Sequence, residues 1–377
     1  MDRRITRRRS LASIGALSGA SALSLGVPGG RALAAGAEIP SLRSLAASRG
    51  LVFGSDSEVD FTVAPPEYLS LFVRQSALYA PAFVWRRISP QPGVYDFSPH
   101  RASIDMAFKA GLKLTGCHFL WYQTAPDWLT KFTPPQAERA STEWITRAAT
   151  EFRGKVYAWN VVNEAINPVD GRPDGLRKED PLVRIFGRDY MAPAFHAARA
   201  ADPNAILTYN DYAVELDTPE QEARRKTLLG LIDFLLSKGA PIDAVGLQSH
   251  LKAAIFGRFD EGRYRAFLKE IADRKLKILI TELDVLDVGV SGDIGRRDQI
   301  VADIYARFLH VALDEPAVKA LIVWGLSDRY TWLKASVQSN FARADGLPTR
   351  PLAFDDALQP KPAFWAIVNA LKAAPAR

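Results

Sequence analysis

Only one cysteine, Cys117, occurs in the 377 residues, so an internal disulfide is impossible and the fold must hold by burial. No good membrane span is offered either. The small-residue apolar run Leu11 to Val27 is too short and too rich in Gly and Ser. No His/Cys/Asp cluster has ligand spacing, so no metal and no cofactor is expected. A basic surface is also missing, despite a pI near 9.3. Residues 1–34 hold six arginines against Asp2, and the remainder carries 42 basic and 41 acidic residues. That balance excludes the positive patch a nucleic-acid partner would need.

What is present begins with a leader. Arg7-Arg8-Arg9-Ser10-Leu11 opens the apolar run, and Ala32-Leu33-Ala34 ends it with a small-x-small site. Residues 1–34 are therefore expected to be a signal peptide of the twin-arginine type, directing the mature chain to the periplasm or the cell exterior. Residues 35–377, with 48% hydrophobic and 24% charged residues in the whole chain, have ample material for one large core.

Along that core, apolar runs alternate with helical patterns. Strands are expected at Leu51–Gly54, Leu78–Trp85, Leu112–Trp121, Lys155–Glu164, Ala205–Tyr209, Ile242–His250, Leu276–Asp284 and Val318–Gly325. Between and after them lie helices such as Pro134–Phe152 and Thr218–Lys238, opened by Pro or Thr and closed near Gly. Eight strand–helix pairs joined by short connections predict an α/β fold, a single (β/α)8 TIM barrel.

Polar residues gather at the carboxyl ends of these strands: Trp121, Asn163, Glu164, Asn210, Asp211, Gln248, His250, Glu282, Asp284, Trp324 and Asp328. In a parallel barrel such ends share one rim, where active sites are built. A two-residue period puts Val156, Ala158, Asn160, Val162 and Glu164 on one strand face and Asn163 on the other. It groups Ile278 and Ile280 with Glu282, and Ala244 and Gly246 with Gln248 and His250. Two carboxyl groups in one cleft repel, which pushes one to keep its proton while the other stays ionised. With tryptophans on the rim, this suggests glycoside hydrolysis. Each residue also has a plainer reading: the glutamates as ion-paired structural groups, Trp324 and Trp332 as core, Cys117 as a buried inert thiol.

Six segments in order resemble the family 10 glycoside hydrolases, mainly endo-β-1,4-xylanases. They are Trp159-Asn160-Val161-Val162-Asn163-Glu164, Tyr209-Asn210-Asp211-Tyr212, Gly246-Leu247-Gln248-Ser249-His250, Ile280-Thr281-Glu282-Leu283-Asp284, Trp324 to Asp328 with Trp332, and Pro360-Lys361-Pro362-Ala363-Phe364. The resemblance implies retaining, endo-acting cleavage of xylan, with Glu164 as acid/base and Glu282 as nucleophile. It implies that Asn163 binds the 2-hydroxyl, that His250 orients Glu282, and that Gln248 contacts the acid/base. Tyr212 falls on the aglycone side, and Trp121, Trp324 and Trp332 form sugar-stacking walls. The mature chain is expected to be a monomer acting on a polysaccharide or oligosaccharide. A retaining enzyme for another or a decorated β-linked glycan, and a non-catalytic glycan-binding protein, are the alternatives.

The chain departs from the family on one side. Where members carry Glu-Asn-Glu-Met-Lys-Trp, it has Ala80-Pro81-Ala82-Phe83-Val84-Trp85; Cys117 and Tyr122 replace two histidines and Thr124 a glutamine. Each lost hydrogen bond to a buried hydroxyl removes about 1–3 kcal/mol. The glycone pocket is therefore expected to be rebuilt.

Overall fold

The computed structural model describes residues 39–334, 341 and 343–377, so the expected leader at 1–34 lies outside the described residues. Among the described residues, ten parallel strands form one sheet: β1 (Val52–Asp56), β2 (Leu78–Ala80), β3 (Lys113–Gly116), β4 (Leu120–Trp121), β5 (Val156–Asn163), β6 (Ile206–Asp211), β7 (Ala244–Leu247), β8 (His250–Lys252), β9 (Lys277–Leu286) and β10 (Val318–Val323). Their order runs β10-β1-β2-β3-β5-β6-β7-β9, with β4 extending beside β5 and β8 beside β9. Pairing of β9 with β10 closes the ring, leaving no open edge in the eight-stranded (β/α)8 barrel. Among the described residues, no helix is long and apolar enough to cross a membrane.

Helices follow the strands for local reasons. Pro66, Pro134, Pro181, Pro219 and Pro362 each open a helix, where a missing N–H costs nothing. Thr133 and Gln136 form a capping box, and Asp260 and Asp293 accept from backbone N–H groups at N3. Inside the barrel, Leu78, Ala158, Ala244, Leu279, Ala320 and Ile322 meet as an apolar floor, with Val52 and Ile206 packed against it. Polar groups are thereby confined to the layer above, at the carboxyl ends.

Three expected strands are shorter or broken. The run Leu78–Trp85 stops at Ala80, because Pro81 has no N–H for the ladder, and Trp85–Ile88 turns into a helix. The third divides into β3 and β4, and the sixth into β7 and β8 around Ser249, whose φ is 62°.

Strict alternation also fails at two places that matter. β5 slips register against β6 between Asn160 and Val162, and β9 slips against β10 between Ile280 and Leu283. Leu279, not Ile278 or Ile280, joins the lumenal floor. The slips let consecutive residues reach the same cavity, so Asn163 faces Glu164, and Thr281 and Glu282 both touch Asn210.

Candidate active site

Glu164 follows the last residue of β5 with φ 56°, a left-handed backbone that costs a non-glycine residue about 1–3 kcal/mol. Its N–H donates to the Asn210 carbonyl at 2.9 Å, which pins the turn to β6. Ala213 and Ser249, just past β6 and β7, share this conformation at φ 55° and 62°. Three of the five non-glycine residues with positive φ among those described, the others being Lys275 and Leu358, thus lie on one rim.

The two glutamates are joined through two amides. Asn210 Nδ2 donates to Glu282 Oε1 and to Asn163 Oδ1, both at 2.8 Å, and Asn163 Nδ2 donates to Glu164 Oε1 at 3.2 Å. Thr281 Oγ1 donates to Asn210 Oδ1 at 2.7 Å, fixing which end of that amide is the donor. Gly246 leaves the room, since a Cβ there would lie 2.2 Å from Asn210 Oδ1. Gln248 Nε2 donates to Glu164 Oε1 at 3.0 Å. On the far side, His250 lies between two carboxylates, Nδ1 at 2.9 Å from Asp284 Oδ1 and Nε2 at 3.2 Å from Glu282 Oε2.

These environments split the two acids. Burial raises the Glu164 carboxyl; Gln248 opposes this, while the charges of Glu282 and Asp211 add to it. Burial alone would raise Glu282 too, but His118 and His250 reverse it and hold the group at about 2. His118 Nε2 stands 3.8 Å from Glu282 Oε1, the separation of an ion pair rather than a hydrogen bond. Burial disfavours the His250 cation, yet Asp284 and then Glu282 outweigh it and keep this imidazole well above its usual value. One carboxyl is biased towards keeping its proton and the other towards ionisation, which is the division that acid catalysis beside a nucleophile needs.

Aromatic walls flank the pair. Trp332 Nε1 donates to Asp284 Oδ2 at 2.8 Å, and its ring lies 5.4 Å from His250. Trp324 meets His250 edge-on at 6.3 Å, and Trp121 lies 5.0 Å from His118. All three keep part of their surface open, unlike the fully buried Trp85, Trp144 and Trp159. Tyr212 receives hydrogen bonds from Arg177 and Arg224 at 2.9 and 3.2 Å. Arg177 Nε also donates to the Glu164 carbonyl, and its guanidinium stacks on Tyr122 at 4.3 Å.

All nine residues singled out for the site, Glu164, Glu282, Asn163, His250, Gln248, Trp121, Tyr212, Trp324 and Trp332, lie at this end of the barrel. Asp328 does not turn to the cleft: it binds Lys361 Nζ at 2.8 Å and the Leu352 N–H at 3.0 Å. Sequence reasoning gave Asn210 and Asp284 no role although it placed them at strand ends, and passed over His118, Arg177 and Asp56. The Thr281–Asn210–Glu282 contacts depend on a register slip that no local pattern announces. Among the described residues, no three His, Cys, Asp or Glu side chains are grouped to hold a metal ion.

A closed parallel barrel with two oppositely biased glutamates at its carboxyl rim, between half-open tryptophans, has the architecture of a glycoside hydrolase. The particular lineage follows from comparison: the chain belongs to glycosyl hydrolase family 10, whose model matches residues 41–370. It is similar to endo-1,4-beta-xylanase B of Thermotoga neapolitana, 29% identical over 88% of this chain and 92% of that protein. It is also similar to the beta-1,4-xylanase of Dictyoglomus thermophilum, 30% identical over 76% of this chain and 78% of that one. Among solved structures, native xylanase 10B from Thermotoga maritima superposes with a TM-score of 0.78 at 29% identity, covering 88% of this chain and 98% of that one.

Proposed function

We propose that the protein hydrolyses internal β-1,4-xylosidic bonds of xylan by a retaining double displacement. The observation that carries this reading is the opposite bias of two strand-end carboxyl groups linked through Asn163 and Asn210. In the first step a Glu282 carboxylate oxygen attacks the anomeric carbon while Glu164 gives its proton to the departing glycosidic oxygen. Glu164, now a carboxylate, takes a proton from water; the water oxygen bonds to the anomeric carbon, and the Glu282 ester breaks. Asn163 binds the 2-hydroxyl, His250 orients Glu282, Gln248 holds Glu164, and Tyr212 with the three tryptophans shapes the sugar path. The relatives named as xylanases support the choice of polymer.

A second reading, another or a decorated β-linked glycan, is favoured by the apolar glycone arc of Ala80, Pro81, Val84 and Cys117. Export fits both readings, because a polymer too large to enter a cell is met outside it; the N-terminal sequence of exported protein checks cleavage after Ala34.

The test is turnover of xylan, β-glucan, mannan and aryl β-glycosides, with product lengths and anomeric configuration read by NMR. Release of short β-anomeric xylo-oligosaccharides is expected. Glu282→Ala is expected to lose all turnover, whereas Glu164→Ala retains the first step on aryl glycosides and accumulates a covalent adduct visible by mass spectrometry. Binding without turnover in the wild type, or full activity of Glu282→Ala, overturns the reading.

A further inference from the structure

Strand β1 brings to the rim a side chain that the proposed reaction does not use. Val52 packs on the apolar floor of the lumen, and the two-residue period carries Gly54 and Asp56 to the same side. Asp56 ends the strand, opposite Ala80 of β2. It is 4% exposed, yet its Oδ2 has no hydrogen-bond partner among the described residues. A buried acceptor left without a partner is destabilising, so a ligand group that satisfies it is favoured.

Strand pairing places Asp56 on the rim that carries Glu282: Ser55 lies opposite Val323 of β10, and Val323 opposite Leu283 of β9. Burial pushes its carboxyl well up, the nearby Glu58 and more weakly Glu282 push it further, and a backbone hydrogen bond from Ser57 opposes them. The buried Cys117 thiol is raised by burial and then by the charges of both Glu282 and Asp56. At that place on the rim Asp56 is biased towards its protonated form, which can donate as well as accept. The adjoining arc supplies no competitor: Ala80, Pro81 and Val84 carry no polar side-chain atom, and Cys117 Sγ is engaged by Thr115 and Asn160. His118 Nε2, also buried and without a hydrogen bond among the described residues, stands 3.8 Å from Glu282 Oε1.

We propose that Asp56 is a substrate-binding residue that hydrogen-bonds a ring hydroxyl, other than the 2-hydroxyl, of the sugar unit attacked by Glu282, and thereby selects the glycone. This rests on the reading of Glu282 as nucleophile. A hydroxyl donates and accepts in one group, which matches a carboxylic acid; a permanently cationic ligand would require the ionised form that burial disfavours.

The experiment compares wild type, Asp56→Ala and Asp56→Asn on the best aryl β-glycoside of the panel above and on analogues each deoxygenated at one ring position other than C2. Asp56→Ala is expected to lower kcat/KM on the parent about ten- to hundredfold, the size of one such hydrogen bond. On the analogue lacking the contacted hydroxyl the loss shrinks to less than about threefold, since that bond is already gone. Asp56→Asn, which keeps shape and hydrogen bonding, retains more activity than Asp56→Ala and carries the comparison if the alanine variant does not fold. Equal losses on parent and every analogue, or an unchanged parent kcat/KM, overturn the inference while leaving the proposed function intact. A wild type inactive on the whole panel overturns both.

Discussion

His250 is held between the carboxyl groups of Asp284 and Glu282, which bias it towards its cation, and that position governs how Glu282 can work. Its Nδ1 contacts Asp284, which has no exposed surface and also accepts from Trp332 Nε1. Changing Asp284 to Asn removes the largest influence raising the imidazole, so His250 gives up its proton at lower pH. Glu282 then loses part of the cationic support that holds it down to about 2, and its carboxyl rises. Asp284→Asn is therefore expected to move the acid limb of kcat/KM to higher pH and to lower its plateau at least about tenfold, roughly the worth of one charge-assisted contact. The basic limb belongs to Glu164, which is raised, and should stay in place; Glu164→Gln should abolish it. Stability follows the same logic. A histidine raised in the folded state contributes stability that is whole below its ordinary value near 6.5 and is lost as pH climbs through the folded value. Thermal midpoints should fall more in Asp284→Asn at pH 5.5 than on the far alkaline side. An acid limb that does not move would show that His250 leaves the Glu282 charge untouched.

Between residue and barrel, the strands decide which of these groups meet. Their existence and order were legible, because β-branched and apolar runs ending in polar residues alternate with Pro-opened, Gly-closed helical segments. The rim positions of Glu164, Gln248, His250 and Glu282 were legible for the same reason. Which face each side chain takes was not, since a register slip is a property of two strands at once and leaves no mark in either sequence alone. Asn210 illustrates this: its place at the end of β6 was evident, but its bridging of Glu282 and Asn163 rests on slips in β5 and β9 and on Gly246 in β7. Gly246→Ala tests the dependence. The new methyl would meet Asn210 Oδ1 at 2.2 Å, so the amide must shift and its bonds to both site residues weaken. Overpacking of this kind costs about 1–3 kcal/mol, and activity should fall further, by about tenfold or more, because two site contacts go together. Unchanged kcat/KM beside a lowered thermal midpoint would show that Asn210 serves the fold alone.

At the scale of the whole molecule, the barrel is locked by a buried ionic cluster that a reading of strand ends alone would assign to the cleft. Lys361, 3% exposed, caps the final helix Pro362–Ala373 and donates to Asp328 Oδ2 and to the Arg350 carbonyl, each at 2.8 Å. Arg350 in turn forks onto Asp298 of the helix Ile294–Ala312 with two bonds of 2.8 Å. The closing segment is thereby tied to the turn Asp328–Tyr330 that follows β10 and to the preceding helix, which explains why Pro360-Lys361-Pro362 belongs with the rest of the chain. Lys361→Met keeps the volume and removes the ammonium, leaving buried Asp328 with only Arg350 at 4.0 Å as a cation. Breaking such a pair costs about 3–5 kcal/mol, which at roughly 2.1 cal/mol/K per residue of unfolding entropy lowers the midpoint by about 4–7 °C. The loss should depend on pH. Burial already lifts Asp328 to about 6 against the pull of Lys361, and without that pull the carboxyl climbs further. A carboxyl raised in the folded state is penalised above its unfolded value, so the penalty grows as pH rises and is relieved as the group takes up a proton. The gap in thermal midpoint between wild type and Lys361→Met should therefore be wide at pH 8 and narrow at pH 5. An equal gap at both values would mean that Lys361 acts through packing, with no part for the Asp328 charge.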